Sequence, residues 1–192
     1  MTEKRVIVII TALTLIMLMG GVWLLSSQGA KEKTKLAETL LGEEIIENPS
    51  SIHVPRNEQH APYKSNPPTQ GPHWGDGVAG PGIKDTEVAD ELLIHSMEHG
   101  AVVVWYKPQE VSPTEGTPSA SLASLSLQEV EKLKQIFSSV GGKKIMVPRK
   151  SMETPIALTS WGRLMKLQSL DEVTIKQFIE TNNDRAPEKA PI

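Results

Sequence analysis

The chain has 192 residues, no cysteine and a formal net charge of −3. The missing thiols exclude disulfides, thiolate nucleophiles, thiolate-held iron–sulfur clusters and cysteine-type zinc sites. A slightly acidic balance offers no electrostatic footprint for nucleic acid, so no such partner is expected.

Residues 1–5 form a short polar tail. Residues 6–25 (VIVIITALTLIMLMGGVWLL) carry no charge. Twenty helical residues span about 30 Å, the thickness of a bilayer core. Gly20 and Gly21 are tolerable there, because lipid drives backbone hydrogen bonds inward. Trp23 suits the interface. A cleaved signal peptide has a shorter apolar core and small residues at its cleavage site, whereas this chain has Gln28 before Gly29 and Ala30. The expectation is an uncleaved signal anchor: one transmembrane helix, with the membrane itself as a partner. Lys4 and Arg5 on one side are nearly balanced by Lys31, Lys33 and Lys35 on the other. The charges touching the span, and the ease with which long domains translocate, place the soluble part outside the cytoplasm.

Residues 26–49 read as a juxtamembrane spacer with modest helical periodicity at Leu36, Leu40, Leu41 and Ile45. The soluble domain is expected at 50–188, with 189–192 as a tail. Residues 50–82 are rich in Pro, Gly, Asn and His and show no periodic apolar pattern, the signature of a long irregular loop. A helix is expected over 86–99, capped by Asp85 or Thr86 and ended by Gly100. AVVVWY (101–106) reads as a strand. A Ser/Thr/Pro-rich loop follows at 111–124, then an amphipathic helix at 127–140. Strands are expected at 144–148 and 155–161, with a turn at Gly162 into RLMKL. The last helix is expected at 171–182 with Asp171 as its cap. The fold class is therefore α+β: an N-terminal transmembrane helix, then one small mixed sheet-and-helix domain with a long Pro/Gly/His-rich loop.

All five histidines lie between residues 53 and 99. His95 and His99 are four apart, so on a helix they share a face and could hold one metal ion. Glu98 precedes the second histidine, unlike the zinc-protease pattern. NPPTQGPHW (66–74) is stiffened by Pro67 and Pro68 and could present His73 in a fixed direction. His53 and His60 are further candidates upstream. A cysteine-free histidine site suits copper(II), zinc or nickel on ligand chemistry. Met97 points away from the His95 face, and Met146 and Met152 suit core filling. Trp161 reads as core and Arg163 as a surface charge. No nucleophile elbow, phosphate loop or dinucleotide fingerprint is present.

At these residues the chain resembles the prokaryotic domain-of-unknown-function family numbered 3105. The match is carried by IHVP at His53, Tyr63, NPPTQGPH (66–73), ELLIHSMEHGAVVVWY (91–106), TSWGR (159–163), Phe178 and APE (186–188). Gln70 stands where serine is expected and Met97 where leucine is expected. The resemblance implies a secreted or membrane-anchored setting and no known activity.

The leading expectation is a single-pass, extracytoplasmic domain at the cell membrane that binds copper or zinc. His73, His95 and His99 would be the core ligands, with His53 and His60 secondary. One alternative is a non-catalytic structural or protein-interaction module. The other is a metal-dependent hydrolase with Glu98 as base.

Overall fold

The structure is a computed structural model that describes residues 17, 19, 39–47, 49–56, 58–109 and 124–192. The chain forms two compact units, 1–39 and 40–192, and the second is the one described below. The transmembrane span expected at 6–25 apart from residues 17 and 19, most of the spacer, and residues 111–123 of the Ser/Thr/Pro-rich loop lie outside the described residues. Among the described residues no helix is long and apolar enough to cross a membrane.

The elements run β1 (Glu43–Glu44), β2 (Ser51–Val54), β3 (Gly71–Trp74), β4 (Gly82–Ile83), α1 (Asp90–Glu98), β5 (Val102–Tyr106), α2 (Leu127–Ser138), β6 (Lys144–Pro148), β7 (Ile156–Ser160), β8 (Arg163–Leu167) and α3 (Glu172–Asn182). The expected α+β class is observed. One mixed sheet has the order β1-β8-β7-β5-β6-β4, and a second, two-stranded sheet pairs β2 with β3. β4 and β5 run parallel to β6, whereas β7 is antiparallel to both β5 and β8.

β5 sits centrally, and VVVWY is buried on both faces. Its alternation sorts the core into two layers. Val102, Val104 and Tyr106 join Val130, Leu133, Ile136 and Phe137 of α2 and Ile175, Phe178 and Ile179 of α3. Val103 and Trp105 join Leu93, Ile94 and Met97 of α1. A strand covered on both sides loses the apolar–polar alternation of a half-exposed one, which is why this run reads as continuous. The Trp105 indole donates to Thr159 Oγ1 at 2.7 Å, so its polar edge is satisfied inside the core.

The ends of α2 and α3 follow local sequence rules. Ser126 and Glu129 form a reciprocal capping box on α2. Asp171 accepts from the Val173 and Thr174 amides at the start of α3. α1 is shorter than expected. It begins at Asp90 after Ala89, which is extended and makes no side-chain cap. The segment before it is drawn elsewhere, because the Glu87 carboxylate accepts from the Lys150 amide at 2.7 Å.

The stretch 50–82, expected to be irregular, contains three short strands. β2 and β3 lack apolar alternation: β2 buries only Val54, and β3 buries Gly71 and the site residue His73. Two boundaries also extend further than expected. Within the spacer, Glu43 and Glu44 pair with Arg163 and Leu164. Within the tail, Ile192 packs on the α1 side of the core.

Ser126→Ala should lower stability by about 1 kcal/mol in urea denaturation, the ordinary value of an N-cap. Phe178→Ala, which empties a fully buried position, should cost about 3–5 kcal/mol.

Candidate metal centre

Three elements build the site. β3 is held in place from outside: the Tyr63 hydroxyl donates to the Pro72 carbonyl at 2.7 Å, and Gln70 Nε2 donates to the Ile45 carbonyl at 2.8 Å. Burial pushes the Tyr63 phenol up, which keeps it a protonated donor. Gly71 has φ 126° and lies against the Tyr63 ring, where a Cβ would come within 3.1 Å. Only glycine takes this conformation freely. β2 lies parallel to β3 in a register that sets His53 directly beside His73. Arg56, just beyond β2, pairs with Asp76 at 2.7 Å and lies over the Trp74 ring. α1 supplies the third side. Leu93, Ile94 and Met97 pack into the main-sheet core, and His95 and Glu98, three residues apart, share the adjoining face.

The result is a cluster of His53, His73, His95 and Glu98 whose ligand atoms all lie within 4.8 Å of one another. His73 Nε2 is 2.9 Å from Glu98 Oε2, and His53 Nε2 is 3.4 Å from the same oxygen. The ring centroids of the three histidines are 4.8 to 5.1 Å apart. His73 is fully buried and Glu98 nearly so. The Ser51 hydroxyl donates to Glu98 Oε1.

Two tautomers follow from the backbone. His73 Nδ1 lies 2.8 Å from the Gly71 carbonyl, and His95 Nδ1 lies 2.8 Å from the Gly77 carbonyl. A carbonyl oxygen only accepts, so both Nδ1 atoms carry hydrogen. Their Nε2 atoms face the site, where that of His73 lies within hydrogen-bond distance of Glu98; a bound cation would take the place of the proton between them. Backbone fixation of this kind orients metal-ligating histidines.

The charges agree with this arrangement. Burial raises the Glu98 carboxyl, but the Ser51 hydroxyl and the adjacent His73 outweigh it and hold Glu98 below the usual carboxylate range. Glu98 is therefore an anion that only accepts. Burial lowers His95, and the neighbouring imidazoles lower it further, so its neutral form is favoured. One carboxylate faces three imidazoles, and protonating all three would crowd like charges together. A divalent cation at the centre would satisfy every donor at once. Four donors around an ion with bonds of about 2.0–2.1 Å sit roughly 3.3 Å apart in a tetrahedron. The two separations from Glu98 Oε2, 2.9 and 3.4 Å, lie near that value, and all four donors lie within 4.8 Å of one another.

His99 and His60 are not brought into the cluster. The His99 ring is 4.6 Å from His95, but its Nδ1 lies 2.9 Å from the Pro191 carbonyl and its Nε2 3.2 Å from Glu188. His60 has Nδ1 on the Ala61 carbonyl and Nε2 beside Glu91 and the Tyr63 hydroxyl. Each is one imidazole beside one carboxylate, outside the group that His53, His73 and His95 form with Glu98. Met97, Met146 and Met152 are buried in the core, as expected. Trp161 packs on the same core and meets His73 edge-on at 6.2 Å.

Ser51 and the place of Glu98 among the donors were not foreseen. The i,i+3 spacing of His95 and Glu98 was the available signal for the second. Ser51 carries no signal without the β2–β3 register.

No curated protein and no solved structure matches the chain. Residues 53–191 match the model of a family described as a protein of unknown function, DUF3105. That match takes in every residue of the cluster and most of the chain, and the protein belongs to this family.

Proposed function

We propose that His53, His73, His95 and Glu98 bind one divalent transition-metal ion, on a domain held at the outer face of a membrane by residues 6–25. The observation that carries the metal reading is the convergence of three imidazoles on one buried carboxylate, two of them with their tautomers set by backbone carbonyls.

The donor set supports zinc(II) or copper(II). Three nitrogens and one oxygen are borderline-to-hard ligands, with no thiolate or thioether to favour copper(I). Methionines that could have supplied sulfur are core residues. The hydrolase alternative rested on Glu98 as a free base, and a carboxylate already among the donors is poorly placed for that task. Family membership is silent on activity. The membrane setting rests on the length and apolarity of 6–25 and on translocation of the long domain behind it.

The full-length chain in detergent, purified without a histidine tag, should take up one equivalent of zinc(II) or copper(II) by calorimetry. His73→Ala should weaken binding at least a hundredfold. Free ion at about a hundred times Kd should stabilise the fold by about 2.7 kcal/mol, seen as a raised Tm. Absence of stoichiometric uptake would sink the metal reading.

For the anchor, the protein should resist alkaline carbonate extraction from membranes, and protease added outside intact spheroplasts should digest the domain. Release by carbonate, or full protection from protease, would contradict it.

A further inference from the structure

The four groups are not equivalent, and their differences bear on what the site does with an ion. His73 and His95 are each fixed by a backbone carbonyl on Nδ1, and His73 is held at its other end by Glu98 as well. Glu98 is nearly buried and takes a hydrogen bond from Ser51. His53 differs from all three. Its side chain is 50% exposed, against 0% for His73 and 3% for Glu98. Among the described residues nothing hydrogen-bonds its Nδ1. It stands on β2, whose first three residues are exposed and whose pairing is with β3. Its ring rests on Gly75, where a Cβ would lie 2.8–3.1 Å from the ring and Cβ of His53. The site therefore has a fixed inner wall of three ligands and one outer ligand facing solvent.

Resting on the metal-binding reading, we infer that the site hands its ion on, and that His53 is the ligand that exchanges. An acceptor offering imidazole or carboxylate donors approaches on the exposed side. Its lone pair forms a bond to the ion as the bond from His53 Nε2 breaks. The ion keeps its charge and oxidation state, so no electron donor or acceptor is needed. The inner ligands then leave in turn to the same acceptor. A purely structural ion would have the opposite geometry, with every ligand buried and anchored from behind.

The test is transfer kinetics from the zinc-loaded full-length chain in detergent to nitrilotriacetate, an amine–carboxylate acceptor. The expected release rate rises in proportion to acceptor concentration. His53→Ala should retain zinc with about tenfold lower affinity and release it at least tenfold faster, while His73→Ala loses binding at least a hundredfold. Gly75→Ala, which displaces the His53 ring and leaves every ligand in the chain, should shift affinity and release in the same direction as His53→Ala. A release rate independent of acceptor concentration overturns the inference and leaves the metal site standing. So does an affinity loss in His53→Ala equal to that in His73→Ala. Failure of the wild-type chain to bind zinc at all overturns the metal reading itself, and the inference with it.

Discussion

The Glu98 carboxylate is the point on which the site and much of its surroundings depend. It accepts from Ser51 and faces His53, both on β2, and it faces His73 on β3. Its own backbone carbonyl accepts from the Glu188 amide, which draws the C-terminal segment onto the end of α1. A buried anion is costly unless it is paired and hydrogen-bonded. That requirement binds β2, β3 and α1 together where apolar packing is thin, since β2 buries only Val54.

The two sheets divide the labour. The six-stranded sheet carries the core, with α1 on one face and α2 and α3 on the other. Its strands are apolar and its helices amphipathic, so hydrophobic burial is sufficient to form it. The β2–β3 pair lies across α1 and is polar on its inner side. α1 serves both, burying Leu93, Ile94 and Met97 in the main-sheet core and setting His95 and Glu98 beside His53 and His73. One helix thus couples the stability of the core to the geometry of the cluster.

The Pro/Gly-rich approach to His73 shows how an irregular segment can be precise. Asn66 accepts from Arg149 at 2.7 Å and donates to the Ser151 carbonyl at 2.7 Å. Arg149 in turn makes two contacts with Asp90 at the start of α1. The loop before β3 and the first turn of α1 are therefore fixed to the same guanidinium, whose planar fork suits such a bridge. This shared tether helps keep His73 and His95 at a constant separation.

By itself the sequence determined the central strands β5, β6 and β7, the helix α2, α3 with its Asp171 cap, and the α+β class. These depend on local periodicity, turn residues and capping side chains, all of which are read within a few positions. It also marked His53, His73 and His95, because their types are chemically distinctive. Tertiary structure decided which histidines meet. His95 and His99 look paired at i,i+4, yet His99 is taken by Pro191 and Glu188, nearly a hundred residues away. His53 looks peripheral, yet a parallel register places it beside His73. Glu98 looks like a possible base, yet it stands among the donors. Pairings of this kind follow from strand register and chain return, which are set by long-range packing and leave no periodic trace along the sequence.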